Sequence, residues 1–150
     1  MNIRLATIKD AEAIMAQNLF LAHESEQLML NPTTSSAGVH AVLSDNTKGF
    51  YVVAEQHGTI IGQVMITFEW SDWRNTSIWW VQSVYVQKEW RKKGVFRALL
   101  RYVQKKAANE HVAFLRLYAH ENNTSALQTY EKTGWKQEPY VMYQLPVGGQ

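Results

Sequence analysis

The chain contains no cysteine, which excludes disulfides, thiolate metal sites and a cysteine nucleophile. It has no apolar run near the roughly 20 residues that a membrane-spanning helix needs, and its N-terminus lacks the charged-then-apolar pattern of a secretory signal. We therefore expect a cytoplasmic protein with no membrane partner. The five histidines show no metal-ligand spacing, so we expect no metal.

A length of 150 residues with 46% hydrophobic types suits one ordinary globular core and leaves no room for a second full domain. We predict a single domain over residues 1–146, followed by an unstructured tail over residues 147–150. Periodicity and turn residues predict a mixed α/β sheet. The predicted strands cover residues 3–7, 50–55, 60–69, 77–86, 114–118 and 141–145, and the predicted helices begin near residues 11, 37, 94 and 124.

Two local interpretations follow from this pattern. Residues 23–47 read as a mobile connection with a short helical piece over 37–43, and this connection is the expected substrate-facing flap. In the strand over 77–86, strict alternation predicts that Trp79, Val81, Ser83 and Tyr85 share one face, and that Trp80, Gln82, Val84 and Val86 share the other.

Basic residues are concentrated between Trp90 and Asn109, where seven Lys and Arg occur without an acidic residue. Such a run is typical of a solvated helix face, but it also suits an anionic ligand. A third interpretation, a nucleic-acid surface with Trp90 stacking on bases, is the least favoured, and we expect no nucleic-acid partner.

A strand ending at Val86 leads into a basic turn and then a helix that begins near Gly94. The first turn of a helix has unpaired N–H groups and a positive dipole end, which suit a phosphate. Gly94 lets the backbone approach a diphosphate closely. Four cations add charge: Arg91, Lys92, Lys93 and Arg97. The alternative is a plain strand-to-helix turn in which Gly94 serves conformation alone.

The segment from Arg91 to Phe96 resembles the diphosphate-binding motif of the GNAT superfamily of N-acetyltransferases, which is Gln or Arg, two residues, Gly, one residue, then Gly or Ala. Phe96 departs from the pattern at the final small position, so the packing beneath the diphosphate must differ. A second match lies downstream at the family's spacing: Asn123, Ala126, Tyr130, Gly134 and Trp135.

The resemblance implies a GNAT-like fold, with a mostly antiparallel sheet, a splayed parallel strand pair and about four flanking helices. It implies acetyl-CoA as the acetyl donor and a primary amine as acceptor, joined in a ternary complex. The cofactor-binding residues would be Val84, Tyr85 and Val86 on the strand, Arg91, Lys92, Lys93, Gly94, Val95, Phe96 and Arg97 in the turn, and Asn123 and Tyr130 downstream. The oligomeric state stays open, and a homodimer is one alternative, since dimers are common in such families.

The chemistry requires a base, an oxyanion donor and an acid. An amine attacks only when neutral, although its ordinary pKa is about 10.4. We predict Glu69 as the base, with Glu24 and Glu26 as other carboxylates. The resemblance implies that the backbone N–H of Val84 stabilises the oxyanion and that Tyr130 is the acid. The alternative for Tyr130 is an aromatic residue of the core.

Aromatic and polar side chains supply a predicted acceptor pocket: Trp70, Trp79, Trp80, Gln82 and Tyr143. Aromatic walls suit a cationic amine or an apolar substrate, and they equally suit a dimer interface. A different class of function also remains open, namely a non-catalytic acyl-CoA-binding sensor of the same fold.

Overall fold

The computed structural model describes residues 1–148, which form two compact units, residues 1–120 and the residues from Glu121 onward. The first unit contains five strands and three α-helices. In chain order these are β1 (Asn2–Leu5), α1 (Ala11–Glu26), α2 (Pro32–Ser44), β2 (Phe50–Gln56), β3 (Thr59–Ser71), β4 (Thr76–Val86), α3 (Val95–Asn109) and β5 (Leu115–Arg116).

The five strands form one sheet in the order β1-β2-β3-β4-β5. The first three pairings are antiparallel, and β4 and β5 are parallel. His57 and Gly58, with φ of 51° and 76°, join β2 to β3 in the left-handed conformation that a tight hairpin needs. The predicted mixed α/β sheet is confirmed.

The helices α1 and α2 pack on one face of the sheet through a core of six buried residues. These residues are Ala11, Ile14, Val39, Tyr51, Val53 and Ile60. On the other face α3 buries Val95, Leu99 and Val103. The start of α3 lies close to β3, because a Cβ built on Gly62 would be 2.9 Å from Cγ1 of Val95.

The prediction of a mobile connection over residues 23–47 is wrong. Helix α1 continues to Glu26 and α2 already begins at Pro32, so only residues 27–31 connect them. The side chain of Asn31 accepts a hydrogen bond from the backbone N–H of Thr34 at 3.0 Å. Asn31 and Pro32 are therefore the N-cap and first residue of a helix.

In the second unit, α4 (Thr124–Lys132) begins at the N-cap Asn123, and Gly134 with φ of 93° follows its end. The predicted helix is confirmed. The strand predicted over residues 141–145 is wrong: these residues have irregular backbone, and Tyr143 is 93% exposed. An alternating pattern forms a strand only where a partner edge satisfies its backbone groups. The strand predicted over 114–118 is likewise reduced to the two residues of β5.

Candidate active site

Strand β4 contains a bulge in its second half. Gln63 pairs with Tyr85, but Met65 pairs with Gln82, so β4 carries one extra residue at this point. Ser83 has a φ of 49°, the left-handed conformation typical of one class of bulge. The extra residue reverses the alternation of side chains along the rest of the strand.

The bulge corrects the predicted faces of β4. Tyr85 lies on the α1 face, where its ring stacks on Phe20 at 6.2 Å between centroids, and it shares this face with Trp80 and Gln82. Val86 lies on the α3 face, beside Val95. Strict alternation assigned Tyr85 to the face of Trp79 and Val86 to the face of Trp80, so it is wrong beyond Gln82.

Trp79 belongs to the core instead of the predicted acceptor pocket. Its side chain is 2% exposed, and it packs against Phe50 and Phe68 with centroid separations of 5.2 and 5.8 Å. Trp80, on the opposite face, remains accessible in part. Adjacent tryptophans on one strand therefore have different roles.

Buried polar side chains support the bulge from the α1 face. Nε2 of Gln63 donates to the carbonyl of Ser83 at 3.2 Å and to Oδ1 of Asn18 at 2.7 Å. Nδ2 of Asn18 in turn donates to the hydroxyl of Tyr51 at 3.3 Å, and burial raises the pKa of Tyr51. Gln63 is fully buried, so its hydrogen bond to Ser83 holds the bulge in an environment without water competition.

Strand β4 extends well beyond its short pairing with β5. The parallel ladder consists of Trp79 with Leu115 and Trp80 with Arg116, and residues 81–86 continue without a β5 partner. Backbone groups along this side of β4 can receive an extended ligand as another strand would be received. The structure thus has the diverging parallel pair that the resemblance implies.

The turn after β4 presents the start of α3. Gly94 is its N-cap with φ of 82°, and Lys92 also has a positive φ of 60°. A Cβ built on Gly94 would meet no atom within 4 Å, so space adjoins the backbone at this point. Lys92, Lys93 and Arg97 are exposed, and no acidic residue occupies the first turn of α3. The residues present therefore fit an anionic group such as a diphosphate.

Arg91 is placed differently from the three other cations. Its Nη2 lies 2.7 Å from Oε2 of Glu24, and its Nε donates to the carbonyl of Val86 at 2.9 Å. The charge of Arg91 is therefore paired with a carboxylate from α1.

Glu69, the predicted base, lies on the same strand pair as Trp80. Its Oε1 accepts from Nε1 of Trp80 at 3.0 Å and its Oε2 from Nη1 of Arg116 at 3.3 Å. Trp80 also makes an edge contact with Tyr118, with centroids 6.0 Å apart. Sequence reasoning missed Arg116 and Tyr118, because alternation alone does not reveal which residues of β5 align with β4.

The other predicted acceptor residues have different surroundings. Gln82 donates from Nε2 to Oγ1 of Thr67 at 2.6 Å, which fixes its amide on the α1 face. Trp70 is 64% exposed near the end of β3. Tyr143 lies in the second unit, in the exposed segment described above.

The second unit holds the two remaining predicted residues. Tyr130 is half-buried, and its ring contacts that of Trp135 at 6.1 Å between centroids. Burial raises the pKa of Tyr130, so its phenol is protonated at neutral pH and is able to donate. Oδ1 of Asn123 accepts from the backbone N–H of Ala126 at 3.2 Å, so this side chain serves as a helix cap.

An open cleft of about 690 Å³ lies beside α1 and the β2–β3 turn. Its walls include Phe20, Glu24, Tyr85 and Lys88. None of the predicted acceptor-binding side chains lines it. The cleft is therefore separate from the predicted acceptor pocket, although it borders the turn that follows β4.

Within residues 1–148, no group of three or more side chains is arranged to hold a metal ion. No helix in the same part of the chain has both the length and the apolar character needed to cross a membrane.

Strand β4 carries the bulge and pairs in parallel with β5, and it is followed by a helix that starts at a glycine among cations, an arrangement that suits a ligand with a diphosphate. The chain matches the acetyltransferase (GNAT) family over residues 15–135. It belongs to that family.

Solved structures agree with this assignment. A possible acetyltransferase from Clostridium difficile 630 is 39% identical, with 97% of each chain covered and a TM-score of 0.91. Two more distant structures share the fold. A predicted acetyltransferase from Clostridium acetobutylicum, solved with acetyl-CoA, is 17% identical over 96% of this chain and 95% of that one, with a TM-score of 0.79. A ribosomal-protein-alanine N-acetyltransferase from Brucella melitensis is 19% identical over 98% and 100%, with a TM-score of 0.76. A search of curated proteins gives no significant match.

Proposed function

We propose that this protein transfers an acetyl group from acetyl-CoA to a primary amine by direct attack in a ternary complex. The observation that carries the proposal is the bulge at Ser83 in β4 followed, after the turn that leaves this strand, by the glycine-capped start of α3. One continuous segment thus contains a strand whose regular pairing is broken by a bulge, and then a helix start of the kind that binds phosphate. The structural relative solved with acetyl-CoA supports this donor, and the alanine N-acetyltransferase supports an amine acceptor.

Acetyl-CoA supplies a thioester whose carbonyl carbon is open to attack. The backbone N–H groups of the turn and the start of α3 bind the diphosphate, with charge from Lys92, Lys93 and Arg97. The edge of β4 pairs with the pantetheine amides through Val84 and Val86. The bulge sets the direction of the Val84 N–H, which stabilises negative charge on the thioester oxygen.

Two protein side chains transfer protons in the reaction. Glu69 removes a proton from the ammonium group, through water, so that the nitrogen lone pair attacks the carbonyl carbon. The new C–N bond forms, the C–S bond breaks with its electron pair going to the sulfur, and the nitrogen loses its second proton to water, which leaves a neutral amide. Tyr130 donates its proton to the departing thiolate and regains one from water. Trp70, Trp80, Gln82 and Tyr143 contact the acceptor.

The proposal is tested by calorimetric titration with acetyl-CoA and CoA, followed by an assay of free-thiol release over a panel of amines. We expect micromolar binding of both ligands and thiol release that depends on the amine. Binding without release would indicate a sensor instead of an enzyme. No binding would overturn the assignment of the turn.

A pair of glycine variants makes the binding test specific. Gly94→Glu places bulk and negative charge at the diphosphate, and we expect it to abolish acetyl-CoA binding. Gly58→Glu is the matched control, since Gly58 also has a positive φ, 76°, and no atom within 4 Å of its Cβ position. The control carries the same backbone penalty and should bind as the wild type does.

A further inference from the structure

The last turns of α1 contact the segment that follows β4 through one carboxylate. Oε2 of Glu24 accepts from Arg91 at 2.7 Å, and Oε1 accepts from the hydroxyl of Tyr85 at 3.2 Å. Nζ of Lys88 lies 3.6 Å from Oε1. Glu24 thus joins three side chains that are distant in sequence from α1.

Arg91 connects this carboxylate to the end of β4. Its Nε donates to the carbonyl of Val86 at 2.9 Å, and its guanidinium carbon lies 5.4 Å from the centroid of the Tyr85 ring. The same ring stacks on Phe20 of α1. Arg91 is therefore held on several sides at the point where the turn toward α3 begins.

Lys92, which follows Arg91, adopts an unfavourable backbone conformation. Its φ of 60° lies in a sparsely populated region for a residue with a side chain. Such a conformation persists only where its surroundings hold it. The directions of the N–H groups at the start of α3 depend on this turn.

The charge of the Glu24–Arg91 pair argues against a direct role in binding phosphate. Burial opposes ionisation of Glu24, but the hydrogen bond and charge of Arg91 hold the pKa of the carboxyl below its ordinary value. The pair is thus charged on both sides and neutral in sum. The net positive charge near the start of α3 comes from other residues.

We propose that Glu24 is a positioning residue for the diphosphate-binding turn and acts through Arg91. This inference rests on the proposed function, in which residues 91–97 bind the diphosphate of acetyl-CoA. Glu24 holds Arg91 against the end of β4, and Arg91 in turn sets the start of the segment that leads to Gly94. Glu24 also lines the cleft beside α1, so this cleft borders the carboxylate that positions the turn.

The test compares the wild type with Glu24→Gln, Arg91→Gln and the double variant, by calorimetric titration with acetyl-CoA. Each single variant should bind roughly fivefold more weakly, as expected for loss of a partly exposed ion pair with hydrogen bonds. The double variant should bind no more weakly than either single variant, because all three lose the same contact. Glu26→Gln is the matched control: Glu26 is an exposed acid in the same last turn, and residues two apart face different directions on a helix.

A second measurement reports on the turn itself. The N–H of Trp90 donates to the carbonyl of Gln87 at 2.9 Å, and the N–H of Ala98 donates to that of Gly94 at 3.0 Å. We expect hydrogen exchange at these two amides to accelerate in Glu24→Gln but not in Glu26→Gln, while amides of β3 exchange as in the wild type.

Wild-type or tighter affinity in Glu24→Gln, additive losses in the double variant, or unchanged exchange at Trp90 and Ala98 would each overturn the inference. A wild type that fails to bind acetyl-CoA would instead overturn the proposed function. In that case the exchange measurement still tests the positioning of the turn by Glu24. Accelerated exchange in Glu24→Gln would support it, and unchanged exchange would refute it.

Discussion

Glu69 and Tyr130 are assigned the two proton transfers of the proposed reaction, and their surroundings differ. Glu69 is partly exposed and accepts hydrogen bonds from Trp80 and Arg116, so its carboxylate is oriented. Tyr130 is half-buried, and burial raises the pKa of its phenol. Tyr130 therefore keeps the proton that its proposed role requires, and the carboxylate of Glu69 is held in one orientation.

We expect Tyr130→Phe to lower kcat by about a hundredfold, the lower end of what general acid catalysis contributes. The affinity for acetyl-CoA should change little, because phenylalanine keeps the buried ring. Steady-state rates and calorimetric titration measure the two quantities. Tyr140→Phe, at an exposed position in the same unit, should leave both unchanged, and a wild-type rate for Tyr130→Phe would remove this residue from the acid role.

Glu69→Gln should lower kcat by about a hundredfold, because it removes the proposed base. Glutamine still offers an oxygen to Trp80, so the loss reports on the carboxylate. Arg116→Gln breaks the same ion pair but retains that carboxylate, and it should cost much less activity. If both variants lose activity equally, Glu69 positions the site and another group is the base.

At the scale of elements, the contact between β3 and the start of α3 positions the turn that we propose binds the diphosphate. Gly62 makes this contact possible. A Cβ at this position would lie 2.9 Å from Cγ1 of Val95 and 3.2 Å from the backbone carbonyl of Tyr85. The first residue of α3 is 2% exposed, so it has little room to shift.

Gly62→Ala should therefore displace the start of α3 and destabilise the protein by about 1–3 kcal/mol, as overpacking of a core does. We also expect weaker binding of acetyl-CoA. Urea denaturation and calorimetric titration check the two effects. Gly38→Ala provides the contrast: Gly38 lies within α2 with open space around it, and alanine there should stabilise by up to about 1 kcal/mol.

Elements whose formation depends on local patterns were predictable. The helix at residues 124–132 follows from a capping asparagine and a terminal glycine, and the β2–β3 hairpin follows from His57-Gly58. Asn31 and Pro32 begin α2 inside the predicted connection over residues 23–47, since an Asn-Pro pair occurs both in turns and at helix starts, and only packing against the sheet decides between the two. The strand predicted over 141–145 failed because a strand depends on a partner edge that the pattern does not contain.

At the scale of the whole molecule, one ionic cluster joins the beginning of the chain to the sheet. The guanidinium of Arg4 on β1 lies 2.8 Å from Oδ2 of Asp10 and 2.7 Å from Oε2 of Glu55 on β2. Asp10 also accepts from the backbone N–H of Thr7 at 2.7 Å. The hydrogen bond from Arg4 lowers the pKa of Asp10, although burial opposes this.

Asp10→Asn should lower the free energy of unfolding at pH 7 by about 1–3 kcal/mol, because a nearly buried carboxylate loses the charge that strengthens its hydrogen bonds from Arg4 and Thr7. A lowered pKa in the folded state stabilises the protein above the ordinary pKa of about 3.9. This contribution is lost as the pH falls through the lower, folded value. Urea denaturation between pH 7 and pH 3 should show a shallower acid loss in the variant, whereas Asp72→Asn, at an exposed turn, should follow the wild type.

The sequence by itself determined the family, the mixed sheet and the glycine-capped start of α3, because these depend on residues close together in the chain and on periodic patterns. Only the tertiary structure decided which face of β4 each side chain occupies, since a single bulge at Ser83 reverses the alternation beyond it. It also placed Trp79 in the core and paired Arg91 with Glu24. Those contacts join segments far apart in the chain, and no local pattern encodes the register that brings them together.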